Sequence, residues 1–174
     1  MLKESAVKVI LVGDGRVGKT SLVNVLSYSK FSDQYKMTIG ATFASKDVYV
    51  NGRLVKLSIW DLAGQPRFNE VSRIFIKGAK GVLYVFDLTR KETLRNLLNW
   101  YKMVKREVGD IPNVVIGNKI DIVPNTEEFD SFAEKFAEEC GGKYIKTSAK
   151  QKKNVREAFL TLISLMFSTE NVRL

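Results

Sequence analysis

Gly13-Asp14-Gly15-Arg16-Val17-Gly18-Lys19-Thr20 follows the spacing G-x-x-x-x-G-K-[ST]. The chemistry such a run can do is to hold a chain of phosphates. Glycines let the backbone turn tightly and aim successive N–H groups at one point, and the positive end of a following helix adds to them. Before the run lies the apolar stretch 7–12, short enough for a buried strand, and residues 21–26 after it read as a helix. Lys19 can reach the β- and γ-phosphates, and the Thr20 hydroxyl can bind Mg²⁺. The expected binding set of the loop is Gly15, Arg16, Val17, Gly18, Lys19, Thr20 and Ser21. A plain glycine-rich turn is the competing reading, and it leaves the Lys-Thr pair after the last glycine without a purpose.

Three later segments carry matching chemistry. Asp61-Leu62-Ala63-Gly64-Gln65 follows an apolar strand, 57–60. An aspartate at a strand end can hold Mg²⁺, usually through water. Gly64 offers a backbone N–H to a terminal phosphate, and Gln65 can orient a water for in-line attack. Asn118-Lys119-Ile120-Asp121 follows another apolar strand. The Asp121 carboxylate can accept two hydrogen bonds from the N1–H and 2-amino group of guanine. Adenine has no such donor pair, so it would leave the carboxylate unpaired at a cost of roughly 1–3 kcal/mol. In Thr147-Ser148-Ala149-Lys150, the Ala149 N–H can donate to the guanine O6 and the Lys150 stem can lie against the base. Between the first helix and the second strand, Thr38 can give Mg²⁺ a second hydroxyl, and Phe31, near Tyr35, can cover the base edge.

These segments need a frame. Residues 42–50 and 53–60 are β-rich and joined by Asn51-Gly52, a two-residue hairpin signal. Further strands are expected at 80–87, 113–117 and 143–146. Helices are expected at 91–108, with Leu94, Leu97, Leu98, Tyr101, Val104 and Val108 at helical spacing, and at 126–140, capped by Thr126 and ended by Gly141-Gly142. A last helix, 154–167, carries Val155, Phe159, Leu162 and Met166 along one stripe. Alternating β and α with one hairpin predicts an α/β fold. Its expected form is a mostly parallel six-stranded sheet with one antiparallel strand and helices on both faces. Every motif above falls just after a strand, at the carboxyl edge where such sheets bind ligands.

With these residues assembled, the chain resembles a small GTPase of the Ras superfamily, on its Rab-like branch, over essentially its whole length. The Rab leaning rests on Thr38-Ile39-Gly40, on Trp60 through Gln65 with Arg67-Phe68, and on Lys77-Gly78-Ala79. The resemblance implies a P-loop G domain that binds GTP and GDP with Mg²⁺, held by Thr20, Thr38 and Asp61. It implies slow GTP hydrolysis served by Gln65 and Lys19, and a nucleotide-dependent switch at about 31–40 and 61–77. Implied partners are an exchange factor, a GTPase-activating protein and effectors, the last meeting Phe43, Trp60 and Phe75, where Phe75 replaces a usual tyrosine. A monomer regulating membrane traffic from the cytoplasm, or from the cytoplasmic face of a membrane, follows. Two departures stand out. Arg16 occupies a position usually held by glycine or another small residue, and Pro66 follows Gln65 where glutamate is usual.

Composition is that of a soluble globular protein: of 174 residues, 45% are apolar and 27% charged, which predicts a single domain. The absence of histidine excludes His-based triads and His-ligated metals, and the lone Cys140 excludes an internal disulfide. Residues 1–5 lead straight into the first strand and predict no secretory signal. Residues 171–174 carry no cysteine for a prenyl group, so either a tail lies beyond them or no prenyl anchor is used. The net charge of +9, dense at Lys143, Lys146, Lys150, Lys152, Lys153 and Arg156, allows peripheral contact with an anionic membrane; nucleic acid is not expected. Two rival readings remain: an ATP-using P-loop enzyme, which leaves Asp121 unexplained, and a scaffold that binds nucleotide with negligible hydrolysis.

Overall fold

In the computed structural model, residues 6–28 and 40–174 are described. Phe31, Tyr35 and Thr38 lie outside them. At the centre is β1 (Val7–Val12), buried on both sides from Val9 onward because it runs parallel between two neighbours, β3 (Arg53–Leu62) and β4 (Gly81–Asp87). Strands in that position are apolar throughout instead of alternating. The same holds for β4 and for β5 (Asn113–Asn118), which are buried along their full length. By contrast, β2 (Ala41–Val50) alternates: Ala44, Val48 and Val50 point inward while Phe43, Ser45, Asp47 and Tyr49 are exposed. It pairs antiparallel with β3 in the register that the Asn51-Gly52 turn sets, Val50 opposite Arg53. Both turn residues have positive φ, +50° and +77°, the backbone that a tight hairpin needs.

The strand order is β6-β5-β4-β1-β3-β2-β7, where β6 is Lys143–Thr147 and β7 is Val172–Arg173. Among the described residues the sheet thus has seven strands, where six were expected. The seventh is two residues long, too short to carry a pattern, and pairs antiparallel with β2. From β1 the chain passes to one side of the sheet and then, at β4, to the other. The loop after β1 therefore opens at the point where the strand order reverses, the usual ligand site of such sheets.

Odd and even residues of β1 face different cores. Val9 and Leu11 join Leu22, Leu26, Phe159, Leu162 and Ile163 from α1 (Lys19–Tyr28) and α5 (Val155–Phe167). Ile10 and Val12 join Ile76, Leu94, Leu97, Trp100, Val104 and Phe136 from α2 (Asn69–Ile76), α3 (Lys91–Val108) and α4 (Glu127–Glu139). Several local expectations need correction. Leu98 is exposed and Trp100 takes the core position on α3. The Thr126 hydroxyl donates to Asp130 at 2.8 Å instead of capping α4, and Asn125 Oδ1 accepts the Glu127 N–H. Strand β3 runs two residues past Trp60, so Asp61 belongs to the strand, opposite Thr42. Helix α2 was not anticipated: it is eight residues long and leaves Val71 and Ile74 exposed.

Candidate nucleotide site

Residues 13–18 join the end of β1 to the start of α1, and each carbonyl from Gly13 to Val17 has a side-chain partner. Lys19 Nζ donates to Gly13 O and Asp14 O, both at 2.8 Å. Arg90 Nη2 donates to Gly15 O at 2.8 Å, Lys119 Nζ to Arg16 O at 2.9 Å, and Asn118 Nδ2 to Val17 O at 3.0 Å. In a trans peptide the C=O and the following N–H point in opposite directions. Holding the last three carbonyls toward Arg90, Lys119 and Asn118 therefore turns the N–H groups of Arg16, Val17 and Gly18 to the other side, the arrangement that binds anions. Gly18 sits at φ +104°, and a Cβ there would lie 2.2 Å from Asn118 Nδ2, so only glycine lets the amide reach the loop.

Lys19 is 5% exposed, and burial pushes its amine down to about 8 against the raising influence of Asp61 and Asp14. A buried cation surrounded by carbonyl oxygens is a place where an anionic ligand regains charge pairing. Beside it, the Thr20 hydroxyl contacts Asp61 Oδ2. These are hard oxygen donors, and among the described residues no group of three or more His, Cys, Asp or Glu side chains could hold a metal by itself. Such a set fits Mg²⁺, which takes one or two protein oxygens and fills its shell with phosphate oxygens and water.

From β3 the chain passes directly over the loop. A Cβ on Gly64 would fall 2.3–2.5 Å from Asp14 C, Gly15 N and Gly13 O. Gln65 follows with its side chain beside Gly15, where a Cβ would be 3.6 Å from Gln65 Cγ and Nε2. Its backbone is extended (φ −80°, ψ 140°), and Pro66 opens a single 3-10 turn, Pro66–Phe68.

On the other flank, Asn118 ties two motifs together. Its Nδ2 holds Val17 O, while its Oδ1 accepts Thr147 Oγ1 at 3.0 Å and the Ala149 N–H at 3.2 Å. The Ala149 N–H is directed at the buried Asn118, so a base oxygen at this point would share that donor with it. Ser148 Oγ donates to Asp121 Oδ1 at 2.6 Å and fixes the carboxylate. Lys150 is exposed in the turn beyond. The basic stretch is less free than the sequence implied, since Lys146 pairs with Asp130 at 2.7 Å.

Sequence reasoning missed a supporting layer. Asp87, at the end of β4 and 1% exposed, accepts Lys119 Nζ at 2.6 Å, Arg90 Nε at 3.2 Å and both the N–H and hydroxyl of Thr89. Burial raises its carboxyl, but hydrogen bonds from Lys119 and Thr89 more than offset this and hold it below its ordinary value. The Asp14 carboxylate accepts Asn96 Nδ2 at 2.7 Å and Trp100 Nε1 at 3.1 Å, anchoring the loop to α3. An acidic residue closing the apolar strand GVLYVFD was the one signal in the sequence. Outside the site, Phe43 stacks on Trp60 and Phe75 lies tilted against Trp60, with centroids 5.3 and 5.6 Å apart, and Lys8 Nζ lies 4.4 Å over the Trp60 ring.

A reversing parallel sheet with a glycine loop, a buried lysine and a helix start at its carboxyl edge defines a P-loop nucleotide-binding α/β protein. Residues 8–168 match the model of the Ras family. The chain is 40% identical to the Ras-related protein Rab-21 of Geodia cydonium over 156 residues, 89% of this chain and 68% of that one. It is 39% identical to human Rab-21 (95% and 74% of the two chains) and 37% identical to the GTP-binding protein YPTM1 of Zea mays (89% and 75%). The chain belongs to the Ras family of small GTPases, on its Rab-like side. Family members bind GTP and GDP, hydrolyse the first to the second, and meet exchange factors, GTPase-activating proteins and effectors. The non-hydrolysing scaffold reading finds no support in these likenesses. Among the described residues no helix is long and apolar enough to cross a membrane.

Proposed function

We propose that this chain is a guanine-specific, Mg²⁺-dependent switch acting in membrane traffic at the cytoplasmic face of a membrane. It works as a single domain and hydrolyses GTP slowly unless a partner assists. Lys19 and the N–H groups from Gly15 to Thr20, with Ser21, hold the phosphates. Thr20 and Asp61, with Thr38, would hold Mg²⁺, which would neutralise phosphate charge. Gly64 meets the terminal phosphate and Gln65 positions the attacking water. Asn118, Lys119, Asp121, Ser148, Ala149 and Lys150 form the base site; Phe31 and Tyr35, expected to bind the nucleotide as well, lie outside the described residues. Effectors dock on the Phe43–Trp60–Phe75 cluster. An arginine from a partner would accelerate hydrolysis by roughly 10³–10⁵, a magnitude measured on Ras itself.

The observation that carries this reading is Asn118. One side chain bonds the phosphate loop at Val17 and the segment 147–149 beside Asp121, so both halves of a nucleotide site rest on one support. Direct titration should show tight binding of GDP and GTP and little of ATP. Asp121→Asn should shift preference toward xanthine nucleotides, whose 2-oxo group needs a donor in place of an acceptor. Equal wild-type affinity for ATP and GTP would refute the guanine assignment.

A further inference from the structure

Arg16 is a non-glycine residue at φ +65°, a left-handed conformation that persists only where the surrounding structure holds it. The carbonyls on its two sides show what does. Gly15 O, in the peptide that precedes Arg16, accepts Arg90 Nη2 at 2.8 Å. Arg16 O, in the peptide that follows, accepts Lys119 Nζ at 2.9 Å. Both cations also donate to one atom, Asp87 Oδ2, at 3.2 and 2.6 Å. A buried carboxylate thus anchors a two-armed clamp that closes on the strained residue from either side. The Lys119 arm belongs to the base motif. The Arg90 arm comes from the residue that precedes α3 and has no other assigned role.

We propose that Arg90 is a positioning residue for the nucleotide's phosphates, acting through the Gly15–Arg16 peptide. Its planar guanidinium has two edges: Nε faces Asp87 while Nη2 faces the loop carbonyl. Fixing that carbonyl fixes the opposed Arg16 N–H, which is then presented to the phosphate side of the loop at no ordering cost during binding. A lysine here would keep the charge and the contact with Asp87, but Arg90 reaches its two acceptors with separate nitrogens, Nε and Nη2, whereas one ammonium serves two acceptors only where they converge on it, as Asp87 Oδ2 and Arg16 O do on Lys119. The inference rests on the loop's being the phosphate site, and wild-type retention of GDP tests that separately.

The experiment compares wild type, Arg90→Met and Arg90→Lys. It measures release of fluorescent GDP in Mg²⁺, the Arg16 amide ¹H–¹⁵N shift in the GDP-bound state, and the melting temperature. Loss of one charge-assisted hydrogen bond corresponds to about a tenfold faster release. Arg90→Met should show this together with a displaced Arg16 amide. Arg90→Lys should recover the melting temperature but leave release several-fold fast and the amide displaced. Unchanged release and amide position in Arg90→Met, even with a lower melting temperature, would overturn the proposal. So would full recovery of release by Arg90→Lys, because the effect would then be charge alone.

Discussion

At the scale of single residues, the tightest constraint on chemistry is the Gln65–Pro66 pair. Proline disfavours the α region for the residue before it, and Gln65 is extended as that rule requires. The side chain lies beside Gly15, yet its backbone cannot make the swing that glutamate at position 66 would permit. A loop whose hydrolysis is triggered by a partner needs no pre-set glutamine, so intrinsic turnover should be slow. Pro66→Glu should raise the single-turnover rate several-fold, the equivalent of about 1 kcal/mol of released backbone restriction. Gln65→Leu should lower it in either background. Equal rates for wild type and Pro66→Glu at unchanged nucleotide affinity would show that the proline does not gate the reaction.

At the scale of elements, the phosphate loop is supported from α3 and β4 as much as from its own helix. Asp14 reaches Asn96 and Trp100 on α3, and Asp87 closes β4 beneath the loop. The Asp87 carboxyl is held below the ordinary value of 3.8. Its contribution to stability is therefore present above that value and lost as pH falls through the lowered one. Denaturant unfolding followed from neutral pH down into the acid range should show a flatter acid limb in Asp87→Asn. The same variant should be less stable at neutral pH, since Lys119 and Arg90 lose their shared acceptor. An unaltered acid limb would mean that other carboxylates dominate acid unfolding. This layer was the part of the site least visible beforehand. The loop, Asp61 through Gln65, Asn118 through Asp121 and Thr147 through Lys150 are each contiguous, so their chemistry reads locally. Arg90 and Gly15 are 75 residues apart and meet only because β1 and β4 pair. Helix α2 and β7 escaped notice for a related reason. Val71 and Ile74 face outward and blur the helical period, and two residues of β7 are a strand only because Val50 and Tyr49 accept them.

At the scale of the whole molecule, β1, β4 and β5 were visible in the sequence because strands buried on both faces need apolar runs, and the β2–β3 hairpin because of its β-rich residues and the Asn51-Gly52 turn. The sheet they form brings segments far apart in the chain to one edge, and Asn118 locks two of them together. In kinetic language, a nucleotide is a bivalent ligand: a base and a phosphate chain, each weakly held alone. Fixing both receptors to one rigid part makes the second contact intramolecular, with a high effective concentration. Asn118→Ala should accordingly do more than remove three hydrogen bonds. With the two halves free to drift, rebinding after partial release would fail more often. The dissociation rate should rise by more than the product of the factors found for Asp121→Ala and Arg90→Met, each of which weakens one half only. Stopped-flow release of labelled GDP from the three variants would test this, and a rate no larger than that product would mean the halves are held together by the rest of the sheet. The residence time of the nucleotide, and with it the duration of each signalling state, is then set by the stiffness of a joint that touches neither the reacting phosphate nor the attacking water.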